Sequence, residues 1–331
     1  MVTMKDVAEL AFVSTATVSR VLNNKSNVSS ELRAKVSKAV EQLDYWPSRV
    51  ARSLRVQNSR TIGLIISDIQ NPFFTSLVRG VEDVAYANDY TLILCNSDED
   101  PTKEALYIKV MRAELVAGIL MTPATEVCPH RRLLTRLGVP IAAVDRQYLD
   151  LEIDTVVVDN VRGAYEAVSH LIELGHSRIG LISGPSQMTT GRERRVGYEK
   201  ALAEHGLEID PDLIREGNAK QRSGFERACE LLEMENRPTA LFVGNNLMTL
   251  GALNAIHEQG LCIPEDIAIV GFDDMSWAAS LRPPLTVVAQ PVYELGSTAA
   301  KLLLDRIQGD DSPIRRIELR TDLVVRESCG A

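Results

Sequence analysis

The stretch STATVSRVL, residues 14–22, decides how the amino terminus of this chain folds. Apolar residues recur at helical spacing before and within it, with one break at residues 12–14: Val7, Ala8, Ala11, Val13, Val18, Val21 and Leu22. Ser14 or Thr15 can begin the second helix by accepting a hydrogen bond from an otherwise unpaired amide. A third helix is predicted from Ser29 or Ser30, with its apolar stripe at Val36, Ala39, Val40 and Leu43. The pattern predicts a small all-α head with a tight turn between its first two helices.

Two short helices joined by a tight turn are typical of the helix-turn-helix, which presents its second helix to the major groove of DNA. We expect Thr15, Ala16 and Arg20 to face base edges, because methyl groups suit thymine and a guanidinium bonds guanine O6 and N7 together. The remaining candidate DNA contacts, several of them suited to phosphates, are Thr17, Ser19, Asn23 and Asn27. The alternative is a helical bundle that binds no DNA, with Arg20 a solvated charge.

The distribution of charge separates the first 60 residues from the rest of the chain, whose formal net charge is −9. Residues 1–60 hold ten Lys and Arg against five Asp and Glu, which makes them +5 and leaves −14 for the remainder. A basic end attracts a polyanion, while an acidic body stays soluble and repels it. The two parts are therefore expected to have different tasks.

From Arg60 onward, continuous apolar runs alternate with helical stretches. The runs cover residues 61–66, 90–95, 118–121, 141–144, 179–183, 240–243 and 267–272. Such runs, separated by helices, predict parallel strands that are buried on both faces. A segment of roughly 270 residues exceeds one ordinary core of about 100–150 residues, so we expect two α/β lobes.

Polar and aromatic residues stand directly after these runs, where open α/β sheets bind their ligands. Carboxylates, guanidiniums and amides beside two aromatic rings suit a sugar, because planar polar groups bond hydroxyls in pairs and a ring face covers C–H surface. The candidate ligand-binding residues are Asn71, Phe73, Phe74, Asp145, Arg146, Arg192, Arg194, Asn245, Asp273 and Gln290. The alternative for each is an ordinary loop polar residue or a core Phe, and Arg194 is equally consistent with a structural ion pair.

Over essentially its full length, the chain resembles the lactose and purine repressor family of bacterial transcriptional regulators. The resemblance rests on motifs in the family's order and spacing: Thr3-Met4-Lys5-Asp6-Val7-Ala8, Val18-Ser19-Arg20-Val21-Leu22-Asn23, Ser48-Arg49-Val50-Ala51-Arg52-Ser53-Leu54, Asn71-Pro72-Phe73-Phe74, Asp145-Arg146-Gln147, Arg192-Glu193-Arg194 and Gly271-Phe272-Asp273. It implies a sequence-specific repressor that binds pseudo-palindromic, double-stranded operator DNA as a homodimer. A small-molecule effector is expected to control its operator affinity.

The resemblance also implies a division of the chain: a head at residues 1–46, a hinge helix and linker at 47–59, and an effector-binding and dimerisation domain at 60–331. This last domain is expected to have two α/β lobes, like the ribose-binding periplasmic proteins. Lobe one is expected at about 60–159 and 291–320, and lobe two at about 160–289 and 321–331. In the hinge, the resemblance gives Leu54 the role of a wedge between base steps in the minor groove. The alternative is that Leu54 packs against the body.

Three positions depart from the family's pattern. Phe12 stands where Gly or Asn is usual, and a left-handed backbone there would strain it by about 1–2 kcal/mol. Ala219 replaces an aromatic lid, and Asn246 replaces the acid of an Asn-Asp pair. Asn71-Pro72-Phe73 and Asp145-Arg146 favour a polyol, so we expect a sugar effector, with ribose the leading candidate and a purine-type corepressor the alternative.

The sequence offers little support for catalysis, a cofactor or a metal. It has no HExxH, Walker loop, GxSxG or paired-cysteine zinc spacing, and its five His residues are scattered singly. Five widely spaced Cys residues indicate reduced thiols, and neither a signal peptide nor an apolar run of about 20 residues is recognisable. We expect a cytoplasmic regulator that is neither an enzyme nor membrane-bound. A sugar-transport component would need a signal peptide and no basic head, and a Rossmann-type enzyme would need a phosphate loop.

Overall fold

The computed structural model describes residues 2–22, 28–45 and 59–331, and the chain forms two compact units, residues 1–59 and 60–331. In the first unit, three helices run over Met4–Leu10 (α1), Thr15–Leu22 (α2) and Ser30–Gln42 (α3). Thr3 and Asp6 form a reciprocal cap at the start of α1, and the Ser14 hydroxyl accepts from the Thr17 amide (3.1 Å) at the start of α2. The predicted three-helix head is confirmed, with a core of Val7, Ala8, Ala11, Val18, Val21, Val36, Ala39 and Tyr45.

The turn between α1 and α2 contains the backbone strain that the sequence predicts. Phe12 has φ 54°, in the left-handed region, and its side chain is 95% exposed. Its amide donates to the Glu9 carbonyl (3.2 Å), and the Val13 amide donates to the Ala8 carbonyl (3.0 Å). These hydrogen bonds hold Phe12 in the left-handed conformation, which costs about 1–2 kcal/mol for a residue with a Cβ atom.

The second unit contains two six-stranded sheets, the first in lobe one and the second in lobe two. The strands are Thr61–Ile66 (β1), Thr91–Asn96 (β2), Gly118–Met121 (β3), Ile141–Val144 (β4), Asp154–Val158 (β5), Ile179–Ser183 (β6), Ile214–Glu216 (β7), Ala240–Val243 (β8), Ala268–Phe272 (β9), Thr286–Ala289 (β10), Arg316–Leu319 (β11) and Asp322–Val324 (β12). The strand orders are β11-β5-β4-β3-β1-β2 and β12-β10-β9-β8-β6-β7. The pairs within the first sheet are parallel, and in the second sheet β12 runs antiparallel to β10. The expected two-lobed α/β fold is confirmed.

Helices cover these sheets and supply most of the remaining core. They run over Pro72–Ala87 (α4), Pro101–Ala113 (α5), Arg131–Thr135 (α6), Asn160–Glu173 (α7), Thr189–Glu204 (α8), Gln221–Leu232 (α9), Asn246–Glu258 (α10) and Val292–Ile307 (α11), with short 3-10 turns at Pro211–Leu213 and Ala278–Ser280. The helix pairs that pack most extensively are α4 with α11, α7 with α8, and α9 with α10. No helix within the described ranges is both long enough and apolar enough to cross a membrane.

The chain passes from one lobe to the other three times: between β5 and α7, between β10 and α11, and between β11 and β12. Asp159, Gln290 and Thr321 lie in these crossings. Because parallel strands present their carboxyl ends at one edge of a sheet, the residues after β1, β4, β6, β8 and β9 meet between the lobes. That convergence positions the site.

Candidate functional site

The exposed surface of α2 carries the residues that the sequence assigns to base edges. Thr15, Ala16 and Arg20 are exposed, whereas Thr17 and Ser19 are half-buried. The Thr17 hydroxyl lies 3.0 Å from that of Ser14, so it belongs to the helix cap. Three further predicted DNA contacts lie outside the described residues: Asn23, Asn27 and Leu54.

A pocket between the lobes brings together nine of the ten predicted ligand-binding residues. Those nine are Asn71, Phe73, Phe74, Asp145, Arg146, Arg194, Asn245, Asp273 and Gln290. The structure places the tenth elsewhere, because the Arg192 guanidinium is 3.1 Å from the Glu126 carboxylate and its side chain is 45% exposed. The first turn of α8 explains why Arg192 lies outside the pocket, because Thr190 and Gly191 at the start of this helix line the pocket in its place.

Asp145 and Asp273 occupy equivalent positions in the two lobes, immediately after β4 and β9. Both have a left-handed backbone, with φ 70° and 77°, and both are buried. The Asp145 amide donates to the Val156 carbonyl (2.9 Å), and the Asp273 amide donates to the Val288 carbonyl (2.8 Å). The adjacent strand therefore fixes each residue in a conformation that costs of the order of 1–3 kcal/mol, and such strain concentrates at functional sites.

Burial is the largest cause of the raised pKa values of these two carboxyls. It raises the pKa of Asp145 to about 6, with Asp273 and Glu99 adding to the rise and Arg146 and Arg194 opposing it. Burial also raises the pKa of Asp273 above its usual value, against the opposing effect of Arg194. Perturbed carboxyls in a cleft mark a place where a ligand's donors can replace lost water.

The two buried guanidiniums are held by hydrogen bonds to other parts of the protein. Arg146 donates to both carboxylate oxygens of Glu99, at 2.6 and 2.9 Å, and to the Ser67 hydroxyl at 3.2 Å. Arg194 donates to the Asn160 amide oxygen (2.9 Å) and the Gly244 carbonyl (2.6 Å), and it lies 3.6 Å from the centroid of the Phe272 ring. The buried Nε of Arg146 lies 3.5 Å from the Asp145 carboxylate but has no hydrogen-bond partner among the described residues.

The amides of the pocket are fixed in the same way. Asn71 caps α4 by accepting from the Phe73 amide (3.0 Å), and Asn245 caps α10 by accepting from the Met248 amide (2.8 Å). The Gln290 side chain donates to Asp273 (2.5 Å), while within the described ranges its buried Oε1 atom has no hydrogen-bond partner. A donor on Arg146 and an acceptor on Gln290 thus remain available to a ligand.

Apolar surface completes the pocket. The Phe73 and Phe74 rings are 5.1 Å apart and nearly perpendicular, with an interplanar angle of 88°. Ala219, which the sequence places at the position of the family's aromatic lid, also lines the pocket. The sequence did not point to the other lining residues: Gly184, Pro185, Met188, Thr190, Gly191, Gly244 and Met248. Their position after β6 and β8 is the signal that could have identified them.

The two departures within the body have structural roles. Ala219 lines the pocket with φ 64°, and its carbonyl accepts from the Asn245 amide group (3.1 Å). Asn246 donates to the Asn71 side chain of lobe one at 2.7 Å, so it joins the two lobes. Within residues 2–22, 28–45 and 59–331, no group of three His, Cys, Asp or Glu side chains is arranged to hold a metal ion.

Known proteins resemble both units. Residues 3–48 match the model of the lacI family of bacterial regulatory proteins, and residues 168–329 match a periplasmic binding protein-like domain. The HTH-type transcriptional repressor PurR of Aliivibrio salmonicida is 38% identical over 332 residues, which cover 99% of each chain.

Solved structures give the same result. A lac repressor dimer bound to operator and the anti-inducer ONPF is 30% identical with a TM-score of 0.86, over 100% of this chain and 99% of that one. A LacI family regulator from Enterococcus faecium with bound ribose is 32% identical with a TM-score of 0.73, over 81% of this chain and 98% of that one. The expected resemblance is confirmed: the chain belongs to the lacI family of bacterial regulatory proteins.

Proposed function

We propose that the protein is a sequence-specific transcriptional repressor whose affinity for operator DNA is set by a small neutral sugar, ribose or a close relative, bound between the lobes. The observation that carries this proposal is the pocket itself. Two buried aspartates, a guanidinium nitrogen and an amide oxygen converge beside two phenylalanines, and neither that nitrogen nor that oxygen has a hydrogen-bond partner within the described part of the chain. Buried polar atoms without partners are costly, so such a set is retained where a ligand supplies the missing bonds.

The chemistry of the pocket fits a polyol. Asp145 and Asp273 can each accept from a pair of hydroxyls, and Arg146 and Gln290 offer a donor and an acceptor for others. Charges of both signs are present, with Arg146 and Arg194 beside the two aspartates. A neutral ligand leaves this balance undisturbed, whereas an anionic ligand would meet buried carboxylates.

A purine-type corepressor is the second candidate, and sequence relatives named PurR favour it. The aromatic side chains of the pocket do not. Phe73 and Phe74 belong to one helix and are mutually perpendicular, so only one of them can stack flat on a planar base. Pro185, Met188 and Ala219 line the pocket too, and Ala219 brings only a methyl group. Carboxylate acceptors and a single usable ring face suit a sugar better than a nucleobase.

The DNA-binding part of the proposal rests on the head. The exposed Thr15, Ala16 and Arg20 on α2 suit the major groove, and the +5 charge of residues 1–60 suits phosphates. We propose that two chains bind a pseudo-palindromic operator as a homodimer, with Asn23 and Asn27 at the backbone and Leu54 in the minor groove. We propose that the protein acts in the cytoplasm by binding operator DNA and its effector, without a catalytic step, a cofactor or a membrane partner.

A thermal-shift screen followed by calorimetry tests the effector. D-ribose and hypoxanthine are the probes, and a ligand at 100 times its dissociation constant stabilises by about 2.7 kcal/mol. We expect D-ribose to raise the melting temperature of the wild type, and Asp273→Asn to abolish that rise. If hypoxanthine stabilises the protein and D-ribose does not, the effector is a purine-type corepressor and not a sugar. A gel shift with a pseudo-palindromic operator library tests the DNA-binding part separately.

A further inference from the structure

Several polar contacts cross from one lobe to the other beside the pocket. Asn246 of lobe two donates to Asn71 of lobe one at 2.7 Å. Arg192 and Lys220 each follow a pocket-lining residue of lobe two, and both form ion pairs with lobe one. The Arg192 contact with Glu126 is largely solvated on the arginine side, whereas the Lys220 contact is more enclosed.

The Lys220 ammonium lies between two carboxylates that follow adjacent strands of lobe one. Its Nζ is 2.5 Å from Asp68, which comes after β1, and 3.4 Å from Asp98, which comes after β2. The Asp68 side chain is only 7% exposed. Burial acts to lower the pKa of Lys220, but the two aspartates raise it further than burial lowers it, so the ammonium stays charged.

The backbone of Lys220 is fixed in lobe two, so the ion pair constrains the lobes and not merely a flexible side chain. Its amide donates to the Asn218 side chain (3.1 Å), and its carbonyl accepts from the Ser223 hydroxyl (3.2 Å) and the Gly224 amide (3.2 Å). Lys220 is also the residue that precedes the first turn of α9. Movement of lobe two away from lobe one would therefore pull the ammonium from Asp68.

The loop after β2 links this contact to the pocket. Asp98 and Glu99 are consecutive residues with left-handed backbones, at φ 56° and 60°. Asp98 pairs with Lys220 across the lobes, while Glu99 holds both terminal nitrogens of the pocket residue Arg146. The Glu99 amide is itself fixed to the Ser67 carbonyl (3.2 Å). Two adjacent carboxylates on one strained turn therefore contact the opposite lobe and the ligand-binding guanidinium.

We propose that Lys220 is a positioning residue that closes lobe two onto lobe one, and that the turn Asp98-Glu99 couples this closure to Arg146. The residue acts on the effector through the lobes and not by touching it, since Ala219, and not Lys220, lines the pocket. The inference rests on the proposed function in one respect, that the effector is a ligand enclosed between the lobes. In this proposal, the Lys220 ion pair stabilises the closed lobes and thereby sets how long the effector stays bound.

The burial of Asp68 is what gives this pair its effect. A fully solvated ion pair contributes little, because water screens it and two side chains lose freedom. Removal of the lysine leaves the Asp68 carboxylate buried without its cation, and an unpaired buried charge is strongly unfavourable. The protein can relieve that cost by opening the cleft and hydrating Asp68, so the variant should favour the open arrangement.

The first test needs no ligand. Spin labels on unnatural amino acids at the exposed Lys109 (lobe one) and Glu235 (lobe two) report the distance between the lobes by pulsed dipolar spectroscopy, with labelled chains diluted in unlabelled full-length chains. We expect Lys220→Met to shift the distance distribution away from that of the wild type, and Asp68→Asn, which breaks the pair from the other side, to shift it in the same direction. The matched control is Lys103→Met, since Lys103 pairs with the same Asp98 from within lobe one (3.3 Å). Equal distributions for wild type, Lys220→Met and Asp68→Asn would overturn the proposal.

The second test uses D-ribose and stopped-flow dissociation. Lys220→Met should raise the dissociation rate about tenfold, and Lys220→Arg should restore it to within about threefold of the wild type. Raising the salt concentration should weaken wild-type affinity more than that of Lys220→Met, because both proteins keep the Arg192–Glu126 pair and only the wild type also has the Lys220 pair to lose to screening. The proposal is contradicted if the two proteins release D-ribose at the same rate. If the wild type does not bind D-ribose, the proposed effector fails, and the ligand-free distances still decide the role of Lys220.

Discussion

At the scale of single residues, Phe12 carries strain that a different side chain would remove. Its φ of 54° costs the folded state about 1–2 kcal/mol, and a Gly at this position would avoid that strain. The Gly variant would be destabilised by about 0.4–1 kcal/mol, however, because its unfolded chain has greater conformational freedom. Phe12→Gly should therefore stabilise the head by roughly 0.5–1 kcal/mol. Hydrogen exchange of head-core amides in the full chain measures the change. Leu10→Gly, in the last turn of α1, is the control and should destabilise the head, because its backbone is helical.

Asp145 gives the site a dependence on pH. Its folded pKa of about 6 lies above the usual value, so the stability it contributes is present at low pH and is lost as the pH rises through 6. Effector hydroxyls favour the ionised carboxylate, so binding should have the opposite trend. We expect D-ribose affinity to fall by up to about tenfold per pH unit below pH 6. Calorimetry from pH 5 to pH 8 measures this, and a slope that is unchanged in Asp145→Asn would assign it to another group.

At the scale of secondary-structure elements, α2 is expected to read the operator through Arg20. The side chain is exposed, and a bidentate contact with guanine contributes about 1–3 kcal/mol of discrimination. Arg20→Ala should therefore relax specificity at one base pair in each half-site. A gel-shift series over single-base operator variants measures the pattern, with the exposed Lys38→Ala on α3 as a charge-matched control. Uniform weakening at every position would make Arg20 a phosphate contact.

The helix pair α4 and α11 depends on the close approach of two backbones. A Cβ atom on Gly296 would lie 2.2 Å from the Leu77 carbonyl oxygen, and one on Gly80 would lie 2.2 Å from the Tyr293 carbonyl oxygen. Gly296→Ala should force the helices apart and destabilise the protein by about 1–3 kcal/mol. Urea unfolding measures the loss. Ser76→Ala, at an exposed position of α4, should change the free energy of unfolding by less than about 0.5 kcal/mol.

At the scale of the whole molecule, the proposed function requires coupling between the pocket and the head. Coupling free energies are typically about 1–3 kcal/mol, so D-ribose should change operator affinity by about 5- to 150-fold. Linkage requires the operator to change D-ribose affinity by the same factor. Titrations of D-ribose with and without operator measure it. Equal affinities in the two titrations would leave a DNA-binding protein whose cleft has another purpose.

The control for this coupling is Asp273→Asn. It keeps the shape of the side chain but removes the charge that accepts from Gln290 and from the Asn246 amide. Free protein with this change should bind operator as the wild type does and should no longer respond to D-ribose. Loss of operator binding in the free variant would mean that Asp273 maintains the fold and does not act only through the effector.

Much of the fold and of the candidate site follows from the sequence alone, because local rules govern those parts. Helical spacing and capping residues determine α1 to α3, and seven of the strands coincide with apolar runs, within one residue at their ends. Five strands were not among those runs. β5 begins with the buried Asp154, which Arg306 neutralises at 2.7 Å, β10 spans only the four residues Thr286–Ala289, and β7, β11 and β12 are short edge strands with charged residues. A charge that finds its partner 152 residues away carries no local signal of burial.

Which side chains reach the pocket, and what each one bonds, was decided by the tertiary structure. The sequence placed Arg192 and Arg194 together after one strand, but helical geometry turns Arg194 inward and sends Arg192 to Glu126 of the other lobe. The Lys220 ion pair is invisible in sequence, because Asp68 and Lys220 approach only when two lobes built from interleaved segments close on each other. The sequence by itself determined the helical head, the α/β lobes and the chemical types of residue at the strand ends, because these depend on neighbours within a few positions. The contacts across the cleft depend on distances between residues far apart in the chain, and only the packed molecule sets those distances.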